Sequence, residues 1–316
     1  MSRCWVISVI NWKGGVGKTT LTHHLGTGLL HLDESQWFRY LGKKEPPRVL
    51  LLDCDAQCNL SISCLSADLY EELAYAKKLG TLKELFKPFL ENDDANIDVN
   101  QYILKWHVRR QRDKVYPTVD LLPSHQDLVY TDMDIAVYQR ASYVGSFRTE
   151  LYKLNVLARI IDRIRQNYDY IFIDCPPNLN YITQNAIYAS DFYIIPTMLD
   201  KLSTYGLSAL INKVDKLNQL FTQASPGYWP TQLLGIVANS VREYGREPKG
   251  SQSYIMERIQ YMFGDMVFQN YLTYGEGVAK GSELGNPVYT DINCRQSKMM
   301  LAVLYEVMER LLEVSR

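Results

Sequence analysis

The most informative segment of the chain is Asn11-Trp12-Lys13-Gly14-Gly15-Val16-Gly17-Lys18-Thr19-Thr20. The residues before it, 4–10, form a short, mostly apolar and β-branched run, which predicts a buried strand. Apolar residues recur at helical spacing over 21–30 and predict a helix. Between a strand and a helix, glycines let backbone N–H groups converge on phosphate oxygens, and the helix dipole points at the same anion. The sequence therefore predicts a phosphate-binding loop.

The residues of this loop have separate predicted tasks. Lys18 would reach the β- and γ-phosphates of a nucleotide, and the Thr19 hydroxyl would hold Mg²⁺. The loop departs from the common pattern because Trp12 stands where the first glycine is usual and Lys13 follows it directly. The predicted nucleotide-binding residues of the loop are Gly14, Gly15, Val16, Gly17, Lys18, Thr19 and Thr20.

A lysine at position 13, directly before the glycines, resembles the deviant Walker A motif of ParA/MinD-type ATPases. The resemblance implies a P-loop NTPase fold, ATP and Mg²⁺ as cofactors, and a homodimer that forms with ATP. In that family the extra lysine crosses the dimer interface and touches the nucleotide of the partner subunit. Lys13 and Lys18 are therefore both expected to be catalytic.

Two further predicted strands end in carboxylates. Residues 48–55 are apolar up to Asp53 and Asp55, and residues 168–177 lead to Asp174 and two prolines. Acidic residues at the carboxyl ends of parallel strands lie where open α/β sheets bind ligands. By resemblance, Asp55 matches the switch I aspartate that orients the attacking water, and it is a second candidate metal ligand. Asp174 matches the Walker B aspartate, which holds Mg²⁺ through its water shell.

The rest of the chain continues the alternation of strands and helices. Residues 196–207 resemble the family's entry into a long helix, and 295–312 predict a terminal helix. In similar ATPases an asparagine at the end of the strand before the tail reads the adenine edge, which makes Asn239 the base-contact candidate. Long apolar strands between helices predict a mostly parallel, doubly wound α/β sheet with helices on both faces. The additional predicted strands are 119–124, 191–196, 233–240 and 266–268.

Composition limits the possible classes of protein. The chain has 316 residues, of which 47% are hydrophobic and 22% charged, so a sizeable core is available. We expect one P-loop ATPase domain over 1–316, with insertions near 31–47 and 66–118. The six cysteines lack the spacing of a zinc site or a disulfide framework. The sequence shows neither a secretory segment nor an apolar run of about 18 residues, so we expect a cytoplasmic protein without a transmembrane segment.

Any DNA contact has to come from a local patch, because the formal net charge is only −1. Basic and aromatic residues interleave over 102–116, and Lys105, Arg109 and Arg112 would share one face if the segment were helical. Such a face could bind phosphates, although a solvated helix face is the simpler interpretation. The candidate DNA contacts are Lys105, Arg109, Arg112, Arg295 and Lys298.

Taken together, the motifs resemble the ParA/Soj-type partition ATPases. This implies ATP hydrolysis to ADP and phosphate, nonspecific DNA binding by the ATP-bound homodimer, nucleoid association, and stimulation by a ParB-like or other adaptor protein. A MinD-like membrane-surface ATPase is the first alternative, but the glutamates of the tail, 305–316, disfavour binding to anionic lipid. An isolated Cys294 disfavours an iron–sulfur carrier, and a tail with one tyrosine disfavours a bacterial tyrosine kinase. A P-loop small-molecule kinase or synthetase stays open, because the loop identifies the nucleotide and not the acceptor.

Overall fold

The computed structural model describes residues 3–77, 79–111, 114–139, 147–275, 286–290 and 294–314. The strands in this part of the chain are β1 (Trp5–Val9), β2 (Val49–Asp53), β3 (Arg109–Gln111), β4 (Lys114–Val115), β5 (Val119–Leu122), β6 (Tyr170–Asp174), β7 (Phe192–Met198), β8 (Gln232–Asn239), β9 (Glu243–Tyr244) and β10 (Glu247–Pro248). Six of them form the central sheet in the order β5-β2-β6-β1-β7-β8, and all its pairings are parallel. The predicted fold class is therefore confirmed.

Helices cover both faces of this sheet. The described α-helices are α1 (Lys18–Gly28), α2 (Glu34–Leu41), α3 (Asn59–Leu65), α4 (Ala67–Glu71), α5 (Leu82–Glu91), α6 (Leu128–Val137), α7 (Val156–Asp162), α8 (Tyr181–Ala189), α9 (Lys201–Ala224), α10 (Gly250–Phe263) and α11 (Arg295–Val314). Strand side chains alternate between two apolar cores, as in β1, where Ile7 and Val9 face α1 and α11 while Val6 faces α7 and α8. No described helix has the length and apolarity that crossing a bilayer requires.

Most predicted elements agree with the structure, but the strand predicted late in the chain does not. The long helix α9 and the terminal helix α11 are both present. The strand predicted over 266–268 is wrong, because residues 264–266 form a 3-10 turn and Val267 makes only an isolated parallel bridge to Ile236. This segment contacts the edge strand β8 through the single bridge at Val267, so it does not add a strand to the sheet.

The two predicted insertions contain ordered local structure. Helix α2 lies within 31–47 and begins with a capping box in which Asp33 and Gln36 satisfy each other's backbone N–H groups. Helix α5 begins with a capping box of Thr81 and Glu84. The helical interpretation of 105–114 is wrong for the residues that the structure describes, because β3 and β4 pair antiparallel there.

Candidate functional site

The glycine loop leaves the end of β1 with a backbone that requires glycine at two positions. Gly15 has φ +73° and Gly17 has φ +89°, both in the left-handed region that side chains rarely adopt. A Cβ on Gly17 would lie 2.0 Å from Nδ2 of Asn239, so no larger residue fits there. A Cβ on Gly14 or Gly15 would meet nothing within 4 Å, because this side of the loop is open. The loop therefore presents backbone to an open cleft, as phosphate binding requires.

Two asparagines fix the loop to the ends of neighbouring strands. Asn11 donates from Nδ2 to the carbonyl oxygen of Pro196 at 2.9 Å, and its Oδ1 accepts the backbone N–H of Lys13 at 2.9 Å. Asn239 donates from Nδ2 to the carbonyl oxygen of Val16 at 2.8 Å. The loop is thus held against β7 and β8, which preorganises it without a ligand. Asn239 is the last residue of β8, and its amide donates to the loop backbone, while its contact with the base stays a prediction.

Lys18 and Thr19 begin α1 at the floor of the cleft. The ammonium of Lys18 donates to the carbonyl oxygen of Lys13 at 3.2 Å, and its residue is 7% exposed. Burial lowers the pKa of Lys18, and the Asp174 carboxylate opposes that shift. Thr19 donates from Oγ1 to Oδ2 of Asp174 at 2.6 Å. A buried ammonium with only one carbonyl partner among these contacts favours binding of an anion such as phosphate.

Asp174 has the chemistry expected of a magnesium ligand. Its Oδ1 is buried and has no hydrogen-bond partner, while its Oδ2 accepts the Thr19 hydroxyl. Burial raises the pKa of Asp174, and the neighbouring Asp53 carboxylate raises it further. A cation bound here would offset both the desolvation of the Asp174 carboxylate and its repulsion by Asp53. The described residues contain no cluster of three or more His, Cys, Asp and Glu that could hold a metal by themselves, so phosphate and water oxygens would complete the shell.

The two aspartates after β2 have different surroundings. Asp53 is fully buried, and its Oδ2 accepts both the backbone N–H of Ser61 at 2.9 Å and its hydroxyl at 2.7 Å. Burial raises the pKa of Asp53, and its hydrogen bonds with Ser61 oppose the shift. Asp55 lines the phosphate cleft, and its Oδ1 accepts the backbone N–H of Gln57 at 3.0 Å. Asp53 therefore holds the turn after β2 in place, and Asp55 is the carboxylate that faces the cleft.

Two adjoining clefts meet at the loop. A cleft of about 510 Å³ is lined by the loop residues Gly14, Gly15, Gly17, Lys18, Thr19 and Thr20 together with Asp55, Gln57, Asn59, Ile62, Ser63 and Pro177. A second cleft of about 280 Å³ shares Gly15, Gly17 and Thr20 with the first and extends toward Asn239. The first has the lining expected for phosphates and a metal, and the second has room for the nucleoside.

The second cleft contains residues that the sequence did not single out. Thr273 and Tyr274 come from the segment after β8, and Gln296 and Met300 come from the first turns of α11. A Cβ on Gly275 would lie 1.9 Å from Nε2 of Gln296, so the two segments are in close contact. No motif marks these positions. They become neighbours only because α11 packs beside β8 and α1.

Lys13 lies at the rim of the loop and is not among the residues lining its phosphate cleft. Its ammonium pairs with Oδ2 of Asp200 at 2.5 Å, and both side chains are about 40% exposed. Asp200 also accepts the backbone N–H and the hydroxyl of Ser203, at 2.9 and 3.0 Å, at the start of α9. The two lysines of the loop are therefore separated, because Lys18 lies in the cleft and Lys13 lies outside it.

The candidate DNA contacts do not form one patch in the described residues. Lys105 follows Leu104, which bridges β5 at one edge of the sheet, and Arg109 lies in the separate β3–β4 pair. Arg295 pairs with Glu243, which follows β8 at the opposite edge, and Lys298 is exposed one turn further along α11. Arg112 lies outside the described residues.

The parallel sheet, the glycine loop with a second lysine, and the strand-end aspartates define a P-loop ATPase of the deviant Walker A class. A family model described as an AAA domain matches residues 4–224. The chromosome partitioning protein ParA of Caulobacter vibrioides is 25% identical over 308 residues, which is 96% of this chain and 94% of that protein. The sporulation initiation inhibitor protein Soj of Bacillus subtilis is 28% identical over 307 residues, which is 96% of this chain and 97% of that protein.

A solved structure agrees in fold. A Cyanothece McdA variant in complex with ATP superposes with a TM-score of 0.71 at 16% identity, covering 98% of each chain. The chain belongs to the ParA/Soj-type family of partition ATPases.

Proposed function

We propose that this chain, acting as one P-loop domain, binds and hydrolyses ATP with Mg²⁺ as a homodimer and thereby positions or segregates DNA or another cargo. The observation that carries the proposal is the separation of the two loop lysines. Lys18 already supplies the cation of the phosphate cleft, and Lys13 stands outside that cleft, half-exposed and paired with Asp200. A lysine in that position is available to a second subunit.

The residues that line the two clefts, and the buried Asp174 that Thr19 contacts, have distinct roles in this proposal. The backbone amides of the loop and the Lys18 ammonium bind the phosphates, and Asn239 lies beside the nucleoside. Thr19 and the unpartnered oxygen of Asp174 hold Mg²⁺, directly or through water. The metal supplies neutralisation of the negative charge that develops on the phosphates during transfer. Support comes from the orphaned Asp174 oxygen and from the ATP bound by the similar McdA.

Asp55 is the carboxylate proposed to orient the attacking water. It lines the phosphate cleft, and the backbone N–H of Gln57 fixes one of its oxygens. The other oxygen can then accept a hydrogen bond from water at the γ-phosphate position. Asp53 is unsuited to this role because Ser61 and the backbone N–H of Asp55 occupy its oxygens.

Lys13 is proposed to act on the nucleotide of the opposite subunit. A second lysine in the same phosphate cleft would add like-charge repulsion and a desolvation cost. Across a dimer interface it would instead stabilise negative charge in the transition state, and cations supplied in this way contribute roughly 10³–10⁵ in rate. The Asp200 pair holds Lys13 in a defined position until the partner's triphosphate is present.

Mixing two inactive variants tests this proposal. Lys13→Ala should bind ATP as a monomer but lose ATP-dependent dimerisation and most turnover. Asp55→Ala should bind ATP and accumulate as a dimer that hydrolyses slowly. In the mixed dimer, the Lys13→Ala subunit keeps its own Asp55 and receives Lys13 from its partner. Steady-state phosphate release should therefore recover in part when the two variants are mixed.

The control is a mixture of Lys13→Ala with the double variant that lacks both side chains, which cannot assemble a complete site. Recovery confined to the first mixture supports action across the interface. If Lys13→Ala dimerises and turns over like the wild type, the dimer mechanism is wrong and a monomeric P-loop enzyme, such as a small-molecule kinase or synthetase, is preferred.

The proposal also includes the surface to which the ATP-bound dimer binds, here called the track, and the adaptor protein that stimulates hydrolysis. The similarity to a chromosome partitioning protein over nearly its full length supports DNA as the surface on which this protein acts. A ParB-like activator is the adaptor that the family resemblance implies. The scattered basic candidates and the −1 net charge mean that DNA binding depends on the assembled dimer rather than on bulk charge. Turnover measured with and without duplex DNA, and with anionic vesicles as the alternative surface, distinguishes a DNA track from a MinD-like membrane track.

A further inference from the structure

Helix α6 exposes an apolar face that the nucleotide site does not use. Val129, Tyr130 and Met133 are each more than half exposed, and Val137 is 77% exposed. Their spacing places them on one side of the helix. The opposite side, with Leu128 and Ile135, is buried against the rest of the protein. Helix α6 is therefore apolar on both sides, and such helices are normally covered.

Two clefts flank this face. A cleft of about 790 Å³ lies between α5 and α6, and a cleft of about 410 Å³ lies between α6 and the segment that enters α8. We call the four exposed apolar residues and these two clefts the α6 surface. It combines protruding apolar side chains with adjacent depressions, which is the form of a surface that receives side chains from a partner.

The charges around the α6 surface determine which partner it fits. Among the described residues, the clefts are lined by five carboxylates and two ammonium groups, namely Glu84, Glu91, Asp132, Asp134 and Glu150 against Lys83 and Lys87. The ion-pair partners Asp127 and Lys153 add one charge of each sign. The described residues of this surface therefore carry an excess of three negative charges, whereas Arg140, which follows Gln139, lies outside the described residues. Residues 124–139 contain three aspartates and no lysine or arginine.

The α6 surface is physically joined to the phosphate cleft. Oδ1 of Asp132 on α6 accepts the backbone N–H of Ile182 at 2.9 Å, at the start of α8. The segment just before α8 lines both sites, with Leu179 in the smaller α6 cleft and Pro177 in the phosphate cleft. The same segment begins at Asp174, the proposed metal ligand. A group that binds beside α6 therefore contacts the strand-end segment that shapes the hydrolytic site.

We infer that the α6 surface is the docking site for a basic amphipathic helix of an activating partner protein, whose apolar residues cover Met133 and Val137 and whose lysines or arginines face the carboxylates. This deepens the proposed function, on which it rests, because it gives partner stimulation a place on the chain. Apolar burial supplies the affinity, and the carboxylates select a basic partner over an acidic one. Residues 177–180, which contribute to the lining of both clefts, are the connection between docking and turnover.

The probe for this inference is a fluorescently labelled model helix of leucines at amphipathic spacing with lysines on the flanks. The same peptide with glutamate at every lysine is its control. Wild-type protein should bind the lysine peptide at least about tenfold more tightly by anisotropy at physiological ionic strength. Replacing Met133 and Val137 together by serine should weaken that binding about tenfold, because two exposed anchors are lost. Tyr261→Ser on α10, where the ring is 92% exposed, should leave binding unchanged.

A charge change gives a second readout. Asp134→Lys, on an exposed residue, should weaken binding of the lysine peptide and strengthen binding of the glutamate peptide, each by roughly threefold. The inference is overturned if the two peptides bind alike, or if Met133→Ser with Val137→Ser binds as the wild type does. It is also overturned if the wild type sediments as a dimer without nucleotide and this double variant does not, because a second copy of the chain then covers α6.

The test of the α6 surface can fail or succeed independently of the test of the proposed ATPase mechanism. Peptide binding is measured without nucleotide, so it does not depend on turnover. Loss of recovery in the mixed Lys13→Ala and Asp55→Ala dimers would refute the dimer mechanism while leaving the peptide result standing. Conversely, if the bound lysine peptide does not raise the hydrolysis rate of the wild-type protein, only the activating role of the α6 surface is refuted.

Discussion

The ion pair between Lys13 and Asp200 allows a test of how strongly this pair within the monomer opposes formation of the ATP-bound dimer. The change is Asp200→Asn, which removes the charge opposite Lys13. The amide oxygen can still accept the backbone N–H of Ser203, so the start of α9 keeps its cap. The variant thus removes the ion pair with Lys13 while it keeps the hydrogen bond by which residue 200 caps α9.

The expected magnitude follows from the exposure of the pair. Both side chains are about 40% exposed, so solvent screens the interaction and the pair contributes about 0.2–1 kcal/mol despite its short distance. A symmetric dimer in which each Lys13 leaves its Asp200 breaks two such pairs. Removing Asp200 should therefore favour the ATP-bound dimer by up to about 2 kcal/mol, or roughly thirtyfold in the dissociation constant.

The assay is sedimentation velocity with ATP and Mg²⁺, performed in the Asp55→Ala background so that hydrolysis does not deplete the dimer. The dissociation constant should decrease in Asp200→Asn, and the difference should shrink at high salt, where the exposed pair is already screened. Affinity of the monomer for ATP serves as the control and should not change, because Asp200 does not line either nucleotide cleft. A weaker dimer in Asp200→Asn would refute the reasoning, since it would mean that Asp200 supports the interface rather than competing for Lys13.

Three further predictions concern the nucleotide cleft and the track. Lys18→Ala should weaken binding of a fluorescent ATP analogue by at least about tenfold, because the phosphates lose their buried cation, and unchanged affinity would contradict its role. Asp174→Asn should raise the melting temperature of the nucleotide-free protein near neutral pH by at least about 2 °C, and should abolish the extra stabilisation by Mg²⁺ with ATP. Burial raises the pKa of Asp174, so its carboxyl group destabilises the folded state only at pH values above the ordinary pKa of aspartate. The increase in melting temperature should therefore disappear as the pH falls toward that ordinary pKa. If the dimer contacts about four DNA phosphates, log affinity should fall with log salt at a slope near about −3.6, and equal binding without ATP would contradict a nucleotide-gated contact.

The fold class and the conformation of the loop follow from local sequence patterns. Apolar runs of strand length between helical repeats specify a parallel sheet covered on both faces, because strands buried on both sides need apolar residues throughout. Gly15 and Gly17 occupy left-handed positions that few other residues tolerate, so the loop conformation is encoded locally. Asp174 could be placed beside Thr19 because the carboxyl ends of parallel strands lie at one edge of the sheet. The capping box at Thr81 is likewise a local pattern.

Only the tertiary structure decided which side chains meet. The division of roles between Asp53 and Asp55 depends on Ser61, whose hydroxyl and N–H bind one of them. The pairing of Lys13 with Asp200 and the contact of Asn239 with the loop join residues nearly 190 and more than 220 positions apart. Local patterns record the period of a helix or strand, but not the partner that packing brings to a side chain. For the same reason the apolar face of α6 could be recognised only when the structure showed which of its apolar residues the core leaves exposed.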